Sequence, residues 1–239
     1  MKLIALQIKT TPNFQENLDE LKSLINSCEK DSIILAPELA LSEFSYDRME
    51  EASNFSIKAI EEIKALSEDK IIALTFITKK ENKFFNTLYI FHNSQIVHTQ
   101  SKAKLFPLGN ELEYFSCGNE QDIKIIEINE LKIATLICFE LRFPQLWEKI
   151  KGADVILNPA MWGLKRKDHY ESISKALALV NQCFVIACNS ANDNMAKGSA
   201  IISPFGNVIK DDLKTKIETN FDKNEIKKVR TYIDIGLDK

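Results

Sequence analysis

Three residues stand where chemistry is most easily placed, each at the C-terminal end of an expected strand. Cys138 follows Leu131-Lys132-Ile133-Ala134-Thr135-Leu136-Ile137 and precedes the turn Phe139-Glu140-Leu141-Arg142. A thiol between a buried strand and a helix start meets the positive helix end and free backbone N–H groups, which favour thiolate. Glu38 follows Ile33-Ile34-Leu35 and Ala36-Pro37. A carboxylate at the end of a buried strand is costly unless paired or used. Lys102 closes the run 95–102, just before Leu105-Phe106-Pro107. Together they make a hydrolase of amide bonds. The thiol attacks the carbonyl, Glu38 takes its proton, and Lys102 with the N–H of Phe139 holds the oxyanion. One such donor is worth a factor of about 10²–10³. Singly, each has a plainer reading: a small buried hydrophobe, a loop acid, a solvated strand flank. Three coincident strand ends favour the chemical reading, because sites gather there in layered α/β folds.

The remaining reactive side chains are less well placed. Cys28 falls on the apolar stripe Phe14, Leu18, Leu21, Ile25, Cys28 of a helical pattern and reads as core. Cys183 and Cys188 lie in one apolar run, and Cys117 lies in a loop without a neighbouring base. His92 falls in a hairpin turn, and His98 alternates with polar neighbours on a strand. His169 opens a helical pattern and defines the rival arrangement, a Cys138–His169 dyad.

Composition narrows the alternatives. The chain has 239 residues, 31 basic against 34 acidic side chains, and a net charge of −3. That length suits one domain, residues 1–239, and the balance gives no electrostatic case for nucleic acid. The seven glycines build neither GxGxxG nor GxxxxGK[ST], which removes dinucleotide and P-loop readings. Five cysteines form an odd count without CxxC, and three histidines leave little for a metal cluster. No metal or cofactor is expected. The apolar run 3–8 contains Gln7 and ends at Lys9, too short for a signal segment, and no run suits a membrane. A cytoplasmic protein with reduced thiols is the expectation.

The elements that must position these residues alternate along the chain. Strands are expected at 2–8, 32–35, 71–78, 83–91, 95–102, 123–128, 131–137, 155–157, 184–188, 199–203 and 208–209. Helices are expected at 11–28 with Thr11 as N-cap, at 56–66, at 143–150, at 168–180 with an Asp168–Glu171 capping box, and at 223–233. Residues 103–121 read as irregular loop. Helices between strands imply α/β layering, and the hairpins exclude an all-parallel sheet. The pattern suggests two mixed β-sheets packed together with helices outside.

The combination of motifs resembles the nitrilase superfamily of carbon–nitrogen hydrolases. The matching pieces are Ala36-Pro37-Glu38, Ser101-Lys102-Ala103-Lys104-Leu105-Phe106 and Ile137-Cys138-Phe139-Glu140-Leu141-Arg142-Phe143-Pro144. Asn158-Pro159-Ala160-Met161-Trp162, the run from Asn181 to Ala187, and Ser199-Ala200-Ile201-Ile202-Ser203-Pro204-Phe205-Gly206 also fit in order. The resemblance implies an α/β, four-layer αββα sandwich and a Glu38, Lys102, Cys138 triad working through a thioester without cofactor. It implies a supporting glutamate at Glu111, with Glu113 as the competing choice. It also implies a homodimer, for which the helices after Cys138 and from Asp168 are the candidate faces. Two positions depart from the family pattern: Lys104 replaces the usual His, and Phe139-Glu140 replaces the usual Tyr-Asp.

The motif after the cysteine looks most like the ω-amidase and deaminated-glutathione-amidase branch. That resemblance implies a small linear amide carrying a distant carboxylate. Phe139, Arg142 and Trp162 are the candidate substrate contacts, with Lys165 and Arg166 as further carboxylate partners or surface charge. Trp162 reads equally as pocket wall and packing residue. Two alternatives stay open: an N-carbamoyl amine hydrolase, and a non-catalytic member of the fold acting as a binding protein. A nitrile substrate ranks below both.

Overall fold

The computed structural model describes residues 1–238 and forms the four-layer αββα order. The first sheet runs β12-β1-β2-β3-β4-β5 and the second β11-β10-β9-β8-β7-β6. In chain order the first contains β1 (Lys2–Leu6), β2 (Ser32–Leu35), β3 (Lys70–Lys80), β4 (Lys83–His92), β5 (Gln95–Ser101) and β12 (Lys216–Asn220). The second contains β6 (Ile126–Ile128), β7 (Leu131–Thr135), β8 (Val155–Ala160), β9 (Phe184–Asn189), β10 (Ala200–Ile202) and β11 (Val208–Lys210). Both sheets are mixed. β1, β2 and β3 are parallel, as are β7, β8 and β9, and the hairpins at the edges are antiparallel.

Side-chain alternation builds the layers. Leu3, Ala5, Ile33, Leu35, Ile71 and Ala73 point into the core between the sheets. Their neighbours Ile4, Leu6, Ile34, Ile72 and Leu74 point outward, against α1 (Phe14–Ser27) and α2 (Met49–Ala65). On the second sheet α5 (Lys167–Asn181) covers β9 and β10, and Leu177 and Ala178 join the central core. Short α3 (Glu111–Tyr114), α4 (Pro144–Lys149) and the closing α6 (Lys223–Tyr232) complete the chain. Two hairpins turn tightly, at Asn93-Ser94 and Asn129-Glu130. All four residues have positive φ (49°, 56°, 51° and 61°), the twist that two-residue hairpins need.

Several boundaries differ from expectation. Asn13, not Thr11, caps α1: its Oδ1 accepts the N–H groups of Gln15 and Glu16 at 3.1 and 3.3 Å. Thr11 instead gives its N–H to Asn17. The capping box at Asp168 does not form. α5 begins at Lys167, and Glu171 is drawn to Lys210 (2.7 Å) and Lys167. α2 starts earlier than residue 56, and the loop 103–121 contains α3 and two 3-10 turns. β12, absent from the expectations, pairs antiparallel with β1.

Candidate active site

The C-terminal ends of β2, β5 and β7 bring Glu38, Lys102 and the Cys138 segment together at one edge of the sandwich. Two of these strands belong to the first sheet and one to the second. Glu38 leaves β2 and gives its backbone N–H to Ala160 O at the end of β8, 3.2 Å, which fixes it against the opposite sheet. The next residue, Leu39, has φ 48°, and its N–H donates to Thr75 Oγ1 at 2.6 Å. Lys102 gives its N–H to Asn86 O and receives the Gly118 N–H at its own carbonyl, both 2.8 Å. Gly118 must be glycine, because a Cβ there would lie 2.1 Å from Ser101 O. Cys138 opens a 3-10 turn, Cys138–Arg142, in the left-handed region with φ 48°. For a non-glycine residue that costs roughly 1–2 kcal/mol, which the surrounding contacts must hold.

Lys102 is completely buried and its Nζ donates to two carboxylates, Glu38 Oε1 and Glu111 Oε1, each at 2.7 Å. Asn86 Nδ2 adds a third donor to Glu38 Oε1 at 2.8 Å. Glu111 Oε2 accepts the N–H of Phe106 at 3.1 Å. One ammonium thus serves two carboxylates in a dry site, leaving one negative charge in excess. The electrostatics follow from that count. Burial alone would lower the Lys102 ammonium's pKa, but the Glu38 and Glu111 carboxylates raise it well above the usual lysine range. Burial, with Glu38 repulsion behind it, pushes Glu111 up to about 6 against the pull of Lys102. Burial and the Glu38 carboxylate push the Cys138 thiol well up, which favours its neutral form. Glu38 Oε2 is buried without a hydrogen-bond partner of ordinary geometry, free to take a proton. Two carboxylates paired to one lysine beside a neutral thiol can hold, remove and return a proton at Cys138.

The structure separates the competing residues. Glu111 is buried on Lys102, whereas Glu113 is exposed. His169 lies exposed on α5, with its Nδ1 3.1 Å from Arg142 Nη2. The charged groups that act on the thiol are Glu38, Lys102 and Glu111, and the hydrogen bond of His169 is with Arg142. Cys28, Cys183 and Cys188 are buried and Cys117 is exposed; all five cysteines are unpaired.

Next to Cys138 is a small, partly open cleft, lined by Phe106, Phe139, Arg142, Met161, Trp162 and Arg166 besides the cysteine. Arg142 lies over the Trp162 ring (4.5 Å to the centroid) and Arg166 over the Phe106 ring (5.0 Å). Among the described residues neither guanidinium forms an ion pair with an acid, while Lys165 points to solvent. Burial, with the neighbouring Arg166 charge behind it, lowers Arg142 from the usual guanidinium range. Trp162 does both things expected of it. It lines the cavity and packs on Tyr170, with its backbone N–H donating to Asn189 Oδ1 at 2.7 Å.

Sequence reasoning did not reach Asn86, Met161 or the role of Glu140. Asn86 lies on β4, inside an ordinary amphipathic strand. Glu140 was visible only as a departure from a pattern, yet it is fully buried. Among the described residues no group of three or more His, Cys, Asp or Glu has the arrangement of a metal site, and no helix is long and apolar enough to cross a membrane.

Comparison with known proteins agrees with this geometry. A carbon-nitrogen hydrolase family model matches residues 3–230. A 2-oxoglutaramate amidase of Bacillus subtilis (strain 168) is 32% identical over 206 residues, covering 81% of this chain and 79% of that protein. Omega-amidase YafV of Escherichia coli (strain K12) is 27% identical over 187 residues, covering 74% of this chain and 71% of its own. The fold also matches Saccharomyces cerevisiae Nit3, a member of branch 10 of the nitrilase superfamily. The TM-score is 0.85 at 21% identity, covering 99% of this chain and 95% of that one. With a family model matched over nearly its whole length and three strand ends converging on a cysteine, the chain belongs to the carbon-nitrogen hydrolase family.

Proposed function

We propose that this enzyme hydrolyses a small linear amide carrying a carboxylate at the end remote from the scissile C–N bond, releasing ammonia through a thioester on Cys138. The observation that carries the reading is a cavity with Cys138 in its wall and two unpaired guanidinium groups, Arg142 and Arg166, in the same lining. A half-buried pair of guanidinium groups without an acid suits an anionic group on the ligand. Relatives named 2-oxoglutaramate amidase and omega-amidase support the same substrate class.

In the proposed sequence Glu38 takes the Cys138 proton as the sulfur attacks the amide carbonyl. Lys102 and the N–H of Phe139 stabilise the developing oxyanion. Glu38 returns the proton to the amide nitrogen, the C–N bond breaks, and ammonia leaves. Glu38 then takes a proton from water as it attacks the thioester, the S–C bond breaks, and Glu38 returns that proton to the sulfur, giving a carboxylic acid and the thiol. Glu111 shares the Lys102 charge and keeps the ammonium aimed at the site. The unpaired cysteines suit a reducing compartment, and we place the enzyme in the cytoplasm. We also read it as a homodimer.

The test is a panel of amides of matched length with and without a terminal carboxylate, followed by ammonia release. The expected result is a preference for the anionic members, lost in Arg166→Met and Arg142→Met through KM by about tenfold or more. Equal turnover of neutral and anionic amides would sink the arginine assignment. Turnover confined to carbamoyl compounds, or to none, would replace the amidase reading.

A further inference from the structure

Glu140 is a wholly buried carboxylate that the proposed chemistry does not use. It lies two residues past Cys138 within the 3-10 turn, yet its side chain folds back toward the strand end. Its Oε2 accepts the N–H of Ile137, the residue before the nucleophile, at 2.7 Å. Its Oε1 accepts the N–H of Ala103, the residue after Lys102, at 2.6 Å. Lys102 follows β5 of the first sheet and Cys138 follows β7 of the second. One carboxylate therefore grips the backbone beside both reactive residues, across the gap between the sheets. Gln100 of β5 reinforces the bridge, with its Nε2 3.3 Å from Thr135 O and 3.4 Å from Glu140 Oε2.

This placement has a cost that calls for a return. Burial pushes the Glu140 carboxyl up to about 7, against the pull of the backbone N–H groups it accepts. An apolar side chain would avoid that penalty but leave two buried N–H groups unpaired. The grip also falls where the chain is strained, at the left-handed Cys138. Reacting groups must be held to within a fraction of an ångström, and such precision rests on the contacts behind them.

We propose that Glu140 is a positioning residue that sets Lys102 relative to Cys138 by pairing one carboxylate oxygen with the peptide N–H beside each. For its turnover readout the proposal rests on the amidase reading; for its thiol readout it does not. The experiment compares Glu140→Gln and Glu140→Asp in a Cys117→Ala background, which removes the exposed thiol. Gln keeps the length but has one acceptor oxygen, so its NH₂ faces a donor. Asp keeps two acceptors on a shorter arm. The readouts are kcat, KM and the rate of Cys138 alkylation by iodoacetamide, at a temperature where each variant is folded by circular dichroism.

In Glu140→Gln, kcat should fall about 10–100-fold. KM should change little and alkylation should slow, with Glu140→Asp intermediate in both. A merely structural role would lower Tm and leave the kcat–KM split and the alkylation rate untouched. Folded Glu140→Gln with wild-type kcat and alkylation overturns the proposal. If that variant does not fold, wild-type values in Glu140→Asp overturn it. A parent enzyme that turns over no amide, with alkylation still slowed in Glu140→Gln, would overturn the amidase reading and uphold the positioning role.

Discussion

At the scale of the residue, the site is governed by one ammonium shared between Glu38 and Glu111. Glu111→Gln would leave Lys102 paired with Glu38 but weaken the second acceptor that fixes where the ammonium points. Glu111→Gln is therefore expected to lose about 100-fold or more in kcat through misplacement of Lys102; a kcat near wild type would contradict that role. The wild-type rate should also fall as pH drops through about 6, where Glu111 gains a proton and releases Lys102. A pH–rate profile checks this. Glu140 gives a stability effect of opposite sense. Its folded value of about 7 lies above the ordinary 4.5, so between these values the folded state holds a proton that the unfolded chain has released. Its contribution to stability is thus lost as pH rises through that window. Urea unfolding at pH 5 and 7.5 should show the wild-type advantage over Glu140→Gln shrinking at the higher pH. Glu38, Lys102 and Cys138 were visible in the sequence as candidates because each follows or ends an expected strand. Asn86 and Glu140 were not, because their partners are backbone and side-chain groups brought close only by sheet packing.

At the scale of the element, strands announced themselves by apolar runs and helix ends did not. The helix 11–28 has the right stripe, but Asn13 outcompetes Thr11 as cap because its oxygen reaches both Gln15 and Glu16. Asn13→Ala should cost about 1 kcal/mol, or about 3 °C in Tm, without touching kcat. β12 has one buried apolar residue, Ile217, and exists because β1 offers it an edge; no local pattern could reveal it. The loop 103–121 looked irregular because it is shaped by close contact rather than periodicity. Gly118 packs on Ser101 O at a distance no side chain permits. Gly118→Ala should therefore shift Lys102, and its kcat should fall more than its KM rises. Unchanged kcat in a folded variant would show that the loop does not set the lysine.

At the scale of the whole molecule, the sandwich gathers strand ends from both sheets, so the site depends on their packing more than on any one segment. The fold class was legible from hairpins between helices, whereas strand order was not. The face formed by α4, α5 and the chain after α6 carries exposed Leu179 (44%), Val180 (53%), Phe205 (44%) and Ile233 (52%). Contiguous apolar surface of this kind marks an interaction site, and it includes the helices expected to pair copies of the chain. Leu179→Glu with Val180→Glu should convert a dimer to a monomer by light scattering, with Tm reduced; an unchanged mass would place the interface elsewhere. The central claim is a thioester on one named sulfur. Intact-protein and peptide mass spectrometry, on enzyme quenched during turnover of a carboxylate-bearing amide, tests it most directly. The account predicts an acyl adduct on Cys138, with ammonia released in step and both lost in Cys138→Ala. Ammonia release by Cys138→Ala at the wild-type rate, or an adduct on another cysteine, would contradict it.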